Sequence, residues 1–263
     1  MPSTGHWNFD GQRVLVTGAA SGLGLAIATA FAEAGAAVVL LGRGRAALEA
    51  VAEPMLHRGD TVSVVVGDLA SRPDIVRAAA EVTEKLGGVD ILVNNAGVGG
   101  STPLVELTDA ELDLHLDVNL RSTILLTREL IRGMLDRGHG VVVNIASQAA
   151  KKGFAGISHY SASKAGVLGF TRSLAAEVAP LVRVNAVCPG MVLTPMMEAN
   201  IQQTIATKGV SWEDAYAEWS AGIPMGRMQR PTDIANAVLF LASDLAAEIT
   251  GEALNVSGGQ TTN

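Results

Sequence analysis

Cysteine is almost missing. Cys188 is the only one in 263 residues, so no intramolecular disulfide can form, and a reducing cytoplasm is the expected location. Its place between an apolar run and Pro189 suits a small buried residue better than a nucleophile. Aromatic residues make up 4% of the chain, so the core must be built from Ala, Val, Leu and Ile. No cluster of five or more basic residues occurs and the formal net charge is −7, which argues against nucleic acid and anionic membranes as partners. No apolar stretch reaches the ~18–20 residues of a membrane-spanning helix. Met1 to Gly11 lacks an apolar h-region, so no secretory signal is expected. The histidines, His6, His57, His115, His139 and His159, show no metal-ligand spacing, and no metal is expected. No Gly-x-Ser-x-Gly elbow is present, which disfavours a serine hydrolase. Linkers, low-complexity tracts and repeats are absent too, so residues 1–263 read as one domain.

What the chain does have is a regular alternation. Continuous apolar runs at Arg13–Val16, Ala37–Leu41, Thr61–Val66, Val89–Val93, Gly140–Ile145, Val182–Val187 and Ala253–Val256 read as strands. Their lack of polar alternation means burial on both faces, as in a parallel sheet covered by helices. Helical patterns lie between them at Gly22–Ala34, Leu48–Arg58, Pro73–Leu86, Thr108–Asp136 (with a possible break), Ser158–Ala179 and Thr232–Ser243. Strand–helix alternation from end to end predicts a doubly wound α/β fold with a seven-stranded parallel sheet. The stretch from about 194 to 230 interrupts the rhythm beyond the C-terminal end of the sixth strand, where a substrate lid would sit. Ser211 has the position of a helix N-cap there, with an acid at the third residue. A packing or oligomer arm is the alternative.

The first strand runs directly into Thr17-Gly18-Ala19-Ala20-Ser21-Gly22-Leu23-Gly24. Gly18 permits a tight turn, and Gly22 and Gly24 let backbone approach a pyrophosphate and helix approach strand. The helix start at Ser21–Leu23 supplies free N–H groups and the positive end of the dipole. A strand–turn–helix context makes this a dinucleotide cradle rather than an ordinary glycine turn. At the end of the second strand an acid would bind the ribose hydroxyls of NAD. Arg43 stands there instead and can pair with a 2′-phosphate, which favours NADP, with NAD as the alternative. Asp68 and Leu69 follow the third strand and can edge the adenine. Asn95, Ala96 and Gly97 follow the fourth, where small residues admit a ribose.

Tyr160 and Lys164 lie four residues apart, on one helix face. An ammonium ~5 Å away at an effective dielectric of ~20 favours phenolate by ~3 kcal/mol, or about two pKa units. The expectation is therefore a phenol brought towards neutrality, able to give a proton to a developing alkoxide or take one from an alcohol. Lys164 has further donors for a ribose. Ser147 follows the fifth strand and can donate to a substrate oxygen. Asn119 is a poor helix former inside a helical stretch, and a kink there would hold a relay water. His159 adjoins Tyr160 but should point elsewhere.

With these residues in place the chain resembles the short-chain dehydrogenase/reductase family over nearly its whole length. The resemblance rests on the cradle at Thr17–Gly24, Asn94–Gly97, the tetrad Asn119, Ser147, Tyr160 and Lys164, and the turn Pro189-Gly190 with Val192 and Thr194 after it. It implies a Rossmann-type sheet, hydride exchange with a nicotinamide, Thr194 at the carboxamide and a homotetramer paired through the long helices. It also implies catalysis by the tetrad on a small alcohol or ketone. The tail near Gln260 and the lid with Met196, Met197 and Trp212 look similar to members acting on polyols. Gln148, Lys152, His159, Gln260 and Met196 are then candidate substrate contacts. A 3-oxoacyl thioester reductase is the enzymatic alternative, and it would want a basic docking patch. A cofactor-binding regulator without turnover is the alternative from another class.

Overall fold

The computed structural model describes residues 7–262. The alternation read from the sequence is the chain order of the fold. It runs β1 (Arg13–Thr17), α1 (Gly22–Glu33), β2 (Ala37–Gly42), α2 (Arg45–His57), β3 (Val62–Val66), α3 (Arg72–Leu86) and β4 (Ile91–Asn94). It continues through α4 (Asp109–His115), α5 (Ser122–Arg137), β5 (Gly140–Ile145), α6 (Ser158–Val178) and β6 (Val182–Pro189). It ends with α7 (Pro195–Lys208), α8 (Trp212–Ser220), α9 (Pro231–Ala242) and β7 (Ala253–Val256). The strands form one seven-stranded sheet in the order β3-β2-β1-β4-β5-β6-β7, and every pairing is parallel. Strand order reverses between β1 and β4, which opens a crevice above their carboxyl ends.

Neighbouring residues of each strand feed two different cores. Val14 and Val16 of β1 join Val38, Leu40, Val143 and Val187 against Ile27 and Phe31 of α1, Leu48 of α2 and Ile234 and Val238 of α9. Leu15, between them, joins Val39, Leu41, Leu92, Val142 and Val184 against Ile75 of α3, Leu126 and Leu130 of α5 and Leu174 of α6. This period-two division explains the continuous apolar runs, since neither strand face meets water. Burying each such side chain stabilises by ~1.5–3 kcal/mol. Helix starts follow local rules: Ser71, Thr108, Thr194 and Ser211 each accept from the amide three residues on.

Two regions depart from regular helix–strand alternation. The helical stretch after β4 is interrupted, as expected, but by a π-helical turn over Leu116–Arg121 with Asn119 at its buried centre. The stretch from 194 to 230 is not loop; it holds α7 and α8, which enclose a satellite core of Ile201, Ala215, Ile223 and Met228. Trp219 donates its indole N–H to Thr204 at 3.0 Å and ties the two helices together. Among the described residues no helix is long and apolar enough to cross a membrane, and no group of His, Cys, Asp and Glu is arranged to hold a metal ion.

Candidate active site

The cradle forms at the exit of β1. Gly18 and Gly22 have φ of +64° and +55°, a region that L side chains rarely adopt. A Cβ on Gly24 would lie 2.2 Å from the carbonyl oxygen of Gly18, so helix and turn approach as closely as a hydrogen side chain allows. The first turn of α1 carries no acid, and the Ser21 side chain makes no capping bond, which leaves the N-terminal amides open to an anion. Thr17 and Asn95 stitch the two strands flanking the crevice. The Thr17 hydroxyl accepts from the amides of Asn95 and Ala96, both at 2.9 Å, and Asn95 Nδ2 donates to the Thr17 carbonyl at 2.8 Å. Thr194, which caps α7 after β6, brings its methyl group to within 3.6 Å of where a Gly22 Cβ would be. The exit of β6 thus reaches the cradle, with Pro189 and Gly190 ending the strand. Val192 is bridged to Gln229 beneath it. Arg43 is exposed just past β2, Asp68 is half-buried, and Leu69 is buried past β3. These residues fit a dinucleotide: a close backbone turn, unpaired amides and a cation at the ribose end.

The reacting groups converge at the ends of β4 and β5. Asn119 is fully buried. Its Oδ1 accepts from the Val98 amide at 2.8 Å, and its Nδ2 donates to the Val98 carbonyl and to Ser163 Oγ, both at 3.0 Å. Ser163 Oγ in turn donates to the Tyr160 carbonyl at 2.7 Å. Lys164, buried, donates from Nζ to the Ile145 carbonyl at 2.8 Å. A Cβ on Gly97 would lie 3.1 Å from Asn119 Oδ1 and 3.3 Å from Lys164 Nζ, so these three positions touch. Ser147, in the turn after β5, accepts from the Ala149 amide and lies within hydrogen-bonding reach of the Tyr160 hydroxyl. The structure therefore brings Asn119, Ser147, Tyr160 and Lys164 to one place beside the cradle.

The electrostatics correct one expectation. Burial raises the Tyr160 phenol above its ordinary value, and the Ser147 bond offsets only part of that. The Lys164 ammonium is turned to the Ile145 carbonyl. Burial also pulls Lys164 itself down to about 8. Desolvation, which the sequence cannot express, is the larger effect on both groups.

Several candidate substrate contacts are placed differently from one another. Met196 is exposed, and its sulfur lies 3.3 Å from where a Gly99 Cβ would be, at the mouth of the site. Gln148 is buried, and its Oε1 accepts from Thr261 of the C-terminal tail at 3.3 Å. Lys152 lies over the Phe154 ring, 5.7 Å from its centre, instead of facing the phenol. His159 is no substrate contact: it is buried, with its ring against His115. Ser163 and Ile145 are not readable as site residues from the sequence, since a helix serine and a strand carbonyl carry no motif of their own. Only the spacing of Ser163 three residues after Tyr160 hints at a role. Asn94 and Asn144 form a further hidden network, each Nδ2 donating at 2.9 Å, to Thr127 and Asn144 and to Thr171 respectively.

The family described as enoyl-(acyl carrier protein) reductase matches residues 18–261. The chain is 40% identical over 255 residues to the 3-oxoacyl-[acyl-carrier-protein] reductase FabG of Vibrio cholerae, covering 96% of this chain and 98% of that one. It is 39% identical over 252 residues to the FabG of Aquifex aeolicus, covering 95% and 97%. A single-substitution form of actinorhodin polyketide ketoreductase, solved with NADPH, superposes with a TM-score of 0.90 at 37% identity, covering 100% of both chains. The thioester alternative fits these relatives better than a polyol substrate does. The chain belongs to the short-chain dehydrogenase/reductase family and is an oxidoreductase acting on keto and alcohol groups.

Proposed function

We propose that this protein is an NADPH-dependent ketoreductase that reduces the 3-oxo group of an acyl thioester. The observation that carries this reading is the gathering of Asn119, Ser147, Tyr160 and Lys164 beside the open amides of the cradle, with the Tyr160 phenol raised above its ordinary value by desolvation. A phenol that holds its proton suits the reductive direction, in which a developing alkoxide must be protonated. The 3-oxoacyl reductases and the ketoreductase among its relatives support the substrate class. Two hydroxyl donors, Ser147 and Tyr160, suit a carbonyl oxygen better than a carbon–carbon double bond.

NADPH supplies the hydride when bound. Gly18, Ser21, Gly22, Leu23 and Gly24 hold its pyrophosphate, and Arg43 pairs with the 2′-phosphate. Asp68 and Leu69 border the adenine, Asn95, Ala96 and Gly97 the ribose, and Pro189, Gly190, Val192 and Thr194 the nicotinamide end. Ser147 donates to the substrate carbonyl, and Tyr160 delivers the proton. Lys164 fixes the nicotinamide ribose and supplies positive charge. Asn119 holds the Val98 backbone and, through Ser163, the first turn of α6. Met196 and Gln148 border the substrate, with α7 and α8 as its lid. The homotetramer belongs to the same proposal.

The test is a spectrophotometric comparison of acetoacetyl thioesters with NADPH and a polyol panel with NADP and NAD. Faster turnover of polyols than of the thioester would overturn the substrate assignment. Tyr160→Phe should lower kcat by ~10²–10⁴-fold while NADPH binding persists. Retained turnover in that variant would overturn the chemistry.

A further inference from the structure

Two histidines outside the tetrad are buried beside it. His115, the last residue of α4, and His159, in the first turn of α6, are 2% and 3% exposed. Their rings meet edge to face with centres 4.4 Å apart, and the His115 ring is 6.3 Å from the Tyr160 ring. His115 Nδ1 faces the Glu111 carbonyl at 2.8 Å, so that nitrogen carries a proton. Neither His115 Nε2 nor either ring nitrogen of His159 has a hydrogen-bond partner. Leaving buried polar atoms unpaired costs stability. A buried imidazole pair at that cost, one residue from the proton donor, calls for a role.

The surroundings supply one. Glu111 Oε1 accepts from the Thr102 hydroxyl at 2.5 Å and lies 3.9 Å from His159 Nε2. The Thr102 amide donates to the Gly156 carbonyl at 2.7 Å. Gly100 packs on the His115 ring, 3.4 Å from where its Cβ would be. Three segments are thereby joined around the first turn of α6: the loop after β4, helix α4 and the turn that leads into Tyr160. The titratable groups facing the pair are Glu111 from α4 and Tyr160 from α6; the loop after β4 contributes only the Thr102 hydroxyl.

We propose that His115 and His159 are positioning residues for Tyr160: as a neutral pair they lock the start of α6 against α4 and the β4 exit loop, and a proton taken up by the pair loosens that lock. A charged His159 competes with Thr102 for Glu111 and so slackens the Thr102–Gly156 tie. Burial and the neighbouring His115 hold His159 below its ordinary value, against the opposing pull of Glu111. The neutral form therefore prevails at neutral pH. The unfolded chain binds this proton at higher pH than the fold does, so the pair's contribution is lost as pH falls below about 6.5.

This inference rests on the reading of Tyr160 as proton donor, and the experiment separates the two. Thioester reduction is followed from pH ~7.5 to ~5.5 in the wild type, His159→Phe and His159→Gln. Phenylalanine keeps the edge-to-face packing and cannot take up a proton. His159→Phe should keep neutral-pH kcat within about threefold and should lose, by about fivefold or more, the acid-side decline in kcat that the wild type shows. The wild-type decline should appear in kcat and not in KM for NADPH. An acid limb unchanged in His159→Phe, with Tyr160→Phe inactive, would overturn the positioning role and leave the proton-donor reading intact. If the phenylalanine variant does not fold, the His159 Cε1–H resonance of the wild type decides: titration at the ordinary value would overturn the proposal.

Discussion

At the scale of single residues, glycine and burial govern what the site can do. Gly24 faces the Gly18 carbonyl with no room for a methyl group. Gly24→Ala must push α1 off β1, and that shift spoils the amides that would meet a pyrophosphate. NADPH affinity should fall by at least about tenfold, read by fluorescence titration, while far-UV circular dichroism stays that of the wild type. Unaltered affinity would show that the turn is no phosphate cradle. Asn119, Ser147, Tyr160 and Lys164 were legible in the sequence as candidates, by type and order, and the structure brings them together. Their protonation states were not legible. The i+4 spacing of Tyr160 and Lys164 suggests mutual attraction, yet Lys164 is buried and spends a donor on Ile145, and Tyr160 is half-buried. Dielectric environment is a property of everything packed around a group, and no local spacing encodes it.

At the scale of elements, strands and most helices were readable to within a few residues, since period-two and period-3.6 burial leave marks in the apolar pattern. Strand β4 runs over Ile91–Asn94 instead of Val89–Val93, and the Asp90 side chain just before it accepts from Arg13 at 2.7 Å and 2.5 Å. The π-helical turn was visible only as an awkward Asn119; its geometry depends on Val98 and Ser163 arriving from other elements. Helices α7 and α8 depend on each other in the same way. Ile201 is the only buried residue of α7, and the satellite core is small. Few buried contacts mean easy local opening. Amide exchange in α7 and α8 should be faster than in α9, by about tenfold or more, and should slow when NADPH and substrate are present together. Exchange as slow as in α9 without ligand would argue against a lid.

At the scale of the whole molecule, function and stability lie at opposite ends of one sheet. The cradle and the reacting groups occupy the carboxyl ends of the strands. At the amino ends Asp90 is surrounded by Arg13 at 2.5 Å, His139 at 3.3 Å and Arg137 at 3.6 Å. Burial pushes the Asp90 carboxyl up, but bonds from Arg13 and the charges of Arg13 and Arg137 more than offset this and hold it below its ordinary value. A depressed carboxylate stabilises the fold above the unfolded-state pKa of ~3.9, and that contribution is lost as pH falls through the folded value. Asp90→Asn leaves two guanidinium groups without their counter-charge and should destabilise by ~2–4 kcal/mol near neutrality. In urea unfolding the wild-type advantage should shrink on acidification below pH ~4. An equal difference at all pH values would assign the loss to packing.

The sequence by itself determined the doubly wound sheet and marked the candidate cradle and the four candidate reacting residues. Each of these depends on local periodicity or on a residue type that only one kind of chemistry or turn requires. The tertiary structure decided the rest: that burial raises the Tyr160 phenol, that Lys164 is bonded to Ile145, that Asn119 sits in a π-helical turn and that His159 faces His115. Those outcomes come from desolvation and from contacts between residues far apart in the chain, and such contacts exist only once the chain has closed on itself.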